Sequence, residues 1–309
     1  MQGRTPTGAQ GIDVSYAQGT VTWAKVQAAG IAFAYARATQ GLSIHDTEFS
    51  RNWPNIRSHG LMRGAYHFAV PGTTLDDARQ QAAWFAAAVK DAGGAGPGDL
   101  PPVLDLESNP QKLGPGPLAN WALTWLAAVD EALGSRAMLY GPWSFLSSLP
   151  RGALAERELW LAFPDTAAVP RDLPNWANWS CIQYTFHGQV PGISGAVDRD
   201  EWCLPVRDLA QAVGFTAPAP APAGPKLVVA QSPTLQPIAQ QLAEQYGWQA
   251  ASTLDRIQGA AAVVCVGGTP DFIARAKAAA GGAWHEPLAG ANLWRTLQLV
   301  AEAGLTGKF

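Results

Sequence analysis

The chain has few of the residues that would tie it to disulfides, metals, polyanions or membranes. Its 309 residues include only 3 cysteines and 5 histidines. Cys181, Cys203 and Cys265 are odd in number and lack CxxC spacing, which argues against a disulfide framework and a structural zinc site and leaves them as buried thiols. HExxH and HxH spacings are missing too. Charged residues make up 15%, the net charge is −3, and lysines and arginines never run together. Nothing here attracts nucleic acid or an anionic surface. No window reaches eighteen uncharged apolar residues, so no membrane span is encoded. The N-terminal MQGRTPTGAQ has no apolar signal core, so Sec export is not expected.

What is present is apolar and periodic. A hydrophobic content of 48% supplies ample core, and 13 tryptophans exceed what that core needs; indoles stacked on sugar rings are one use for the excess, and core packing is the other. GIDVS is a short strand, WAKVQAAG a helix ending at Gly30, and IAFAYARAT a strand. A helix around 50–59, the strand MRGAYHFAV and a helix over 74–92 follow, the last with Asp76 and Asp77 in its first turn. After GGAGPGDLPP come an acidic strand, a helix over 118–133 and the strands RAMLYG, ELWLAF, SCIQYTF and GAVDRDEWC. About eight strands alternating with helices over roughly 200 residues predict an α/β fold, a (β/α) barrel of TIM-barrel type.

The stretch LPPVLDLESN, residues 100–109, organises the functional reading. In a strand, Asp105 and Glu107 share one face and Leu104 and Leu106 the other. A carboxyl in an apolar strand costs several kcal/mol to desolvate unless it is paired, so two together point to use. Asp13, Tyr66, Asp105, Glu107, Tyr140, Trp160, Gln183 and Asp198 all fall near the ends of different strands, where barrels of this type carry their sites. Two carboxyls in different protonation states can protonate a leaving oxygen and stabilise an oxocarbenium-like centre, which is the chemistry of glycosidic cleavage. Glu107 is the better proton donor, because crowding by Asp105 and Asp198 raises its pKa. The second acid is either a nucleophile or the group that orients a substrate 2-acetamido for internal attack, and the acetamido route is favoured. Two other classes stay open. Four acids with His67 nearby could hold a metal for hydrolysis, although no cofactor or metal is expected, and a non-catalytic glycan binder is the third reading.

These segments resemble glycoside hydrolase family 25, the Chalaropsis-type lysozymes. The resemblance runs through GIDVS, FAYARATQG, HDTEF to GLMRGAYHFA, PPVLDLE, LYG, ELWLA and IQYTFHGQVPGISGAVDRDEW, covering residues of about 9–207. It implies an irregular barrel with fewer outer helices, an open groove across its top, and a muramidase acting on bacterial peptidoglycan. It also implies Glu107 as general acid, Asp105 as its partner, and Asp13 and Asp198 as supporting carboxylates. Tyr35, Tyr66, Tyr140, Trp160, Gln183 and Asp200 are the substrate-contact candidates. Arg37 and Gln40 stand where the family usually has lysine and glutamate, and Asp200 where it often has asparagine; these departures touch substrate contacts rather than the four acids.

Composition divides the chain into a catalytic domain over 1–215, a Pro/Ala linker TAPAPAPAGP over 216–225, and a small α/β domain over 226–309. The last reads as strand KLVVAQ, helix LQPIAQQLAEQYG, strand AAAVVCVGG, helix DFIARAKAAAGG and helix NLWRTLQLVAEAG, with a three-stranded parallel sheet expected. VCVGGTPDFIARAK and LAGANLWRTLQLVAE faintly resemble a cell-wall-binding repeat, with self-association as the other reading. The combination predicts a phage endolysin held in the host cytoplasm until release, or a bacterial autolysin exported by a non-Sec route.

Overall fold

Strand β1 (Ala9–Val14) leads through helix α1 (Trp23–Ala28) to β2 (Phe33–Gln40), which turns back on itself through the short β3 (Ile44–His45). Helix α2 (Phe49–Ser58), β4 (Met62–Phe68), α3 (Leu75–Asp91), β5 (Val103–Asp105), α4 (Pro115–Leu133) and β6 (Met138–Pro142) continue the alternation. After the single turn α5 (Trp143–Leu146) come β7 (Leu159–Ala162), β8 (Cys181–Gly188), β9 (Val197–Trp202) and α6 (Val206–Val213). This computed structural model describes residues 1–5, 7–166, 168–217, 226–246, 248–257, 260, 262–280 and 287–288. Two compact units divide the chain, Met1–Pro218 and Ala219–Phe309.

In the first unit the sheet runs β1-β9-β8-β7-β6-β5-β4-β2-β3, and an added β1–β2 pairing closes it into a barrel with β3 as an appendage. The pairings from β1 through β2, β4, β5, β6, β7 and β8 are parallel, while β9 is antiparallel to both β8 and β1. The barrel of the sequence reading is therefore present, with one reversed strand. That reversal matters for the site, because the functional rim meets β9 at its first residues rather than its last.

Strand alternation sorts the apolar residues into two layers. Phe33, Tyr35, Met62, Tyr66, Val103, Met138, Tyr140, Trp160, Cys181 and Trp202 pack together inside the barrel. Ala34, Ala36, Ala65, Leu104, Leu139, Leu161 and Ile182 face outward and join Trp53, Phe85, Trp121 and Trp125 from the helices. Thr74 caps α3 by accepting from the Asp77 amide, and Asp76 and Asp77 complement its N-terminal dipole. Eight tryptophans (Trp23, Trp53, Trp121, Trp125, Trp160, Trp176, Trp179 and Trp202) are buried, so core packing rather than sugar stacking accounts for most of that composition. Helix α6 has no counterpart in the sequence reading. Leu209 is its one buried residue, and Val206, Leu209, Ala210 and Val213 carry a helical apolar period that was available in the sequence.

Gly64 on β4 faces the Tyr35 ring so closely that a Cβ there would lie 2.0 Å from a ring carbon. Tyr35 is wholly buried and stacks on Trp160 at 4.6 Å, so it cannot move aside. Gly64→Ala is expected to destabilise the first unit by about 1–3 kcal/mol, the usual cost of overpacking, readable as a lowered Tm; an unchanged Tm would mean that the Tyr35–Trp160 stack is loose.

In the second unit, β10 (Lys226–Val229) pairs in parallel with β11 (Gln249–Ala251) on one side and β12 (Ala262–Cys265) on the other. Helix α7 (Gln236–Tyr246) covers one face through Ala239 and Leu242, with Leu235 just before it, against Val228 and Val264. Helix α8 (Pro270–Ala280) covers the other through Phe272 and Ala276 against Leu227, Val229 and Val263. Burial on both faces explains the unbroken apolar run LVV. The expected last helix at NLWRTLQLVAEAG lies outside the described residues. Among the described residues no helix is long and apolar enough to cross a membrane.

Candidate active site

One cavity of about 190 Å³ opens at the rim of the barrel, lined by Asp13, Arg37, Tyr66, Phe68, Asp105, Glu107, Tyr140, Trp160, Gln183 and Asp198. The strands deliver these residues by register. Phe68 lies beside Asp105, Asp105 beside Tyr140, Tyr140 beside Trp160, and Asp13 beside Asp198. Strand β5 is shorter than its sequence suggests and ends at Asp105. The Leu106 amide still donates to the Tyr140 carbonyl at 2.9 Å, which carries the extended path one residue further and leaves Glu107 on the same side as Asp105. Asp198 is the second residue of β9, at the start of a strand where the sequence reading had placed site residues at strand ends.

A hydrogen-bond chain fixes the floor. The Tyr140 hydroxyl donates to Gln183 Oε1 at 2.7 Å, which turns the Gln183 amide so that Nε2 donates to Asp13 Oδ2 at 2.7 Å and to Asp198 Oδ2 at 3.3 Å. Trp160 Nε1 donates to Asp200 Oδ1 at 3.0 Å. By contrast, Oδ1 of Asp105 is buried and takes no hydrogen bond from any described residue.

Crowded, partly dehydrated acids hold their protons. Burial pushes Asp105 well above the ordinary carboxyl range, followed by the charges of Glu107 and Asp13, with Arg37 opposing. Burial likewise raises Asp13, followed by the charge of Asp198, while the Gln183 hydrogen bond opposes. Glu107 is open to solvent on one side and packed on the other; lost hydration raises its pKa first, and the Asp198 charge second. Asp198 is raised to about 6, chiefly by burial, with His187 pulling down and Asp165 pushing up. Carboxyls this close share protons among themselves, so the site as a whole keeps an acid form well above the pH at which free carboxylates ionise.

Two of the substrate-contact candidates lie elsewhere. Tyr35 is fully buried with its hydroxyl on the Pro101 carbonyl at 3.3 Å, at the far end of the barrel, so it packs the interior. Asp200 is likewise fully buried, beneath Trp160. His67 also departs from the reading that placed it beside the acids. It points outward between sheet and helices, with Nδ1 on Thr39 Oγ1 at 2.7 Å, Nε2 on Gln81 Oε1 at 2.9 Å and its ring stacked on Trp125. Neighbours in a strand alternate faces, so with Tyr66 inward His67 must be outward.

Two lining residues escaped the sequence reading as site residues. Arg37, whose Nε donates to Asp46 Oδ2 at 2.9 Å, was noted only as a departure from the family pattern. Phe68 follows Tyr66 by two positions on the same face, and that spacing was the available signal.

Burial lowers His67 from 6.5 to about 4. The unfolded chain therefore takes up a proton as pH falls through 6.5 while the folded chain resists until about 4, so stability present above that window is lost across it. Relative to His67→Gln, which removes the titration and can still bond Thr39 and Gln81, the wild type is expected to lose roughly 3 kcal/mol between neutrality and pH 4. Denaturant melts of both proteins across that range would show this, and parallel pH dependences would refute it.

A barrel with an acid pair at its rim, one acid buried and one exposed and both raised in pKa, has the parts that glycosidic cleavage needs. The chain belongs to glycosyl hydrolases family 25, whose model matches residues 12–193. It is 35% identical over 209 residues to Lysozyme M1 of Streptomyces globisporus, an alignment covering 63% of this chain and 68% of that one. It is 32% identical over 213 residues to the N,O-diacetylmuramidase of Chalaropsis, covering 62% of this chain and 96% of that one. The bacterial lysozyme from Streptomyces coelicolor superposes with a TM-score of 0.62 at 31% identity, over 68% of this chain and 99% of that one.

Proposed function

We propose that this chain is an endo-β-1,4-N-acetylmuramidase that hydrolyses the bond from N-acetylmuramic acid to N-acetylglucosamine in bacterial peptidoglycan, with Glu107 as the general acid and Asp105 as its partner. The observation that carries this reading is the pairing of Glu107, raised in pKa at the rim, with Asp105, whose buried Oδ1 has no donor among the described residues. Glu107 protonates the glycosidic oxygen as the bond to C1 breaks. The free Oδ1 of Asp105 accepts the N–H of the 2-acetamido group, which turns the acetamido carbonyl oxygen toward C1. That oxygen captures the oxocarbenium-like centre, and water, deprotonated by the now ionised Glu107, opens the resulting ring. Asp198 sustains the acid form of Glu107 by its charge, and Asp13, held by Gln183, sits at the floor. Tyr66, Tyr140 and Trp160 supply edges and hydroxyls to the sugar.

Clearance of purified cell walls with and without a chelator tests this reading. Clearance unaffected by the chelator supports it. Loss of clearance with the chelator would favour metal-dependent hydrolysis, and binding without clearance would favour a glycan-binding protein.

The linked unit over 226–309 fits a wall-lysing enzyme of endolysin type, in which it supplies wall affinity. Tethering a weak binder to an enzyme on a polymer gains about 10² in avidity when both parts engage. A chain ending near Ala217 is then expected to keep its rate on soluble glycan fragments and to clear intact walls more slowly. Equal clearance, with an oligomeric state that changes on truncation, would assign the unit to self-association.

A further inference from the structure

Asp200 is wholly buried in the barrel wall yet has only half of its carboxyl satisfied. Its Oδ1 accepts from Trp160 Nε1 at 3.0 Å, while Oδ2 is buried with no donor among the described residues. The strand register explains why it sits there. Asp200 lies opposite Gly11 on β1 and opposite Gln183 on β8, while Asp13 lies opposite Asp198. Asp200 and Asp13 are thus diagonal neighbours on one face of an antiparallel pair, within reach of each other. Gln183 cannot serve Asp200, because Tyr140 holds its Oε1 and its Nε2 is committed to Asp13 and Asp198.

Two ionised carboxyls cannot hydrogen-bond; one must carry the proton. Asp13 already accepts from Gln183, which favours its ionised form, whereas Asp200 has the lone Trp160 donor. We propose that Asp200 is a protonated carboxylic acid that donates from Oδ2 to Asp13, making it a positioning residue that keeps Asp13 ionised and fixed at the floor of the active site. Its surroundings agree. Burial raises Asp200 well above the ordinary carboxyl range, then the charges of Asp13 and Asp198, with Trp160 and Arg199 opposing. Cys181, Tyr35, Tyr140 and Tyr184 are the other titratable groups that feel Asp200, and burial raises all four, so none supplies a charge at neutral pH. Arg199, the one cation among the described residues that acts on Asp200, is paired with outward-facing Ile12 and so projects from the other face of β9. When Asp200 loses its proton at higher pH, two like charges meet without a donor between them and Asp13 is displaced.

This inference rests on the glycosidase reading for its kinetic consequence but not for the proton itself, and the test separates the two. Asp200→Asn keeps an acceptor for Trp160 and gives Asp13 a donor that pH cannot remove; Asp200→Leu gives neither. On soluble glycan fragments, Asn is expected to keep kcat within about threefold of wild type, restoring the hydrogen bond to Asp13, and Leu to lower kcat at least about tenfold with KM unchanged within about twofold, the weight of one hydrogen bond to a charged group. Independently of activity, the infrared difference spectrum of wild type minus Asp200→Asn at neutral pH is expected to contain the carbonyl stretch of a buried protonated carboxyl. Absence of that band overturns the proposal whether or not the leucine variant folds. So does an asparagine variant whose kcat falls as far as that of leucine.

Discussion

Glu107→Gln is expected to lower turnover on peptidoglycan by at least about 100-fold, the lower weight of general acid catalysis, with the Tm unchanged. Glutamine preserves the shape of the side chain and removes only the transferable proton. The residue is open to solvent on one side, so the substitution leaves no buried group stranded. A second signature separates loss of the acid from loss of binding: KM should move little, because the interaction removed is made at the leaving oxygen as its bond breaks. Turnover within a few-fold of wild type would reject Glu107 as the acid and turn attention to Asp198, raised to about 6 in the same cavity.

Asp105→Asn is the second large effect, and its direction on stability is opposite to its direction on rate. Turnover is expected to fall by about 10²-fold or more, the scale of losing a group that stabilises developing charge. An amide oxygen still accepts the acetamido N–H but carries no charge, so it gives up the charge-assisted bond that holds the acetamido group and stabilises the positive charge developing on it. Stability should hold or rise at neutral pH, because Oδ1 of wild-type Asp105 is buried with no donor among the described residues and the raised pKa means that ionisation costs folding free energy. The sign follows from linkage: with a folded pKa above the unfolded one, wild-type stability increases as pH falls through the folded value, and the asparagine variant should lack that increase. Mass spectrometry of wild type with a slow substrate adds the mechanistic arm. No covalent adduct on Asp105 is expected, and an adduct there would establish Asp105 as a nucleophile instead.

Much of this was legible in the sequence because acids in apolar strands stand out against a two-residue period. Asp13, Asp105, Gln183 and Asp198 each interrupt a run that is otherwise core, and all four line the cavity with Glu107, Tyr66, Tyr140 and Trp160. Depth was not legible. Tyr35 and Asp200 share the inward face with these residues, yet both are buried away from the cavity, since periodicity gives a side chain's face and not its height along the barrel. Strand direction was not legible either. β9 runs antiparallel after a short connection from β8, which moves Asp198 to the start of its strand. Phe68 and Arg37 went unread because an apolar residue and an ion-paired one look like ordinary core and surface until the rim is assembled around them.

The central claim is the bond that is cut, and the sugar at the new reducing end of fragments released from purified peptidoglycan reports it directly. Mass spectrometry after borohydride reduction should find reduced N-acetylmuramic acid at that end, with stem peptides still attached. Reduced N-acetylglucosamine there, or free stem peptides with intact glycan, would contradict the account.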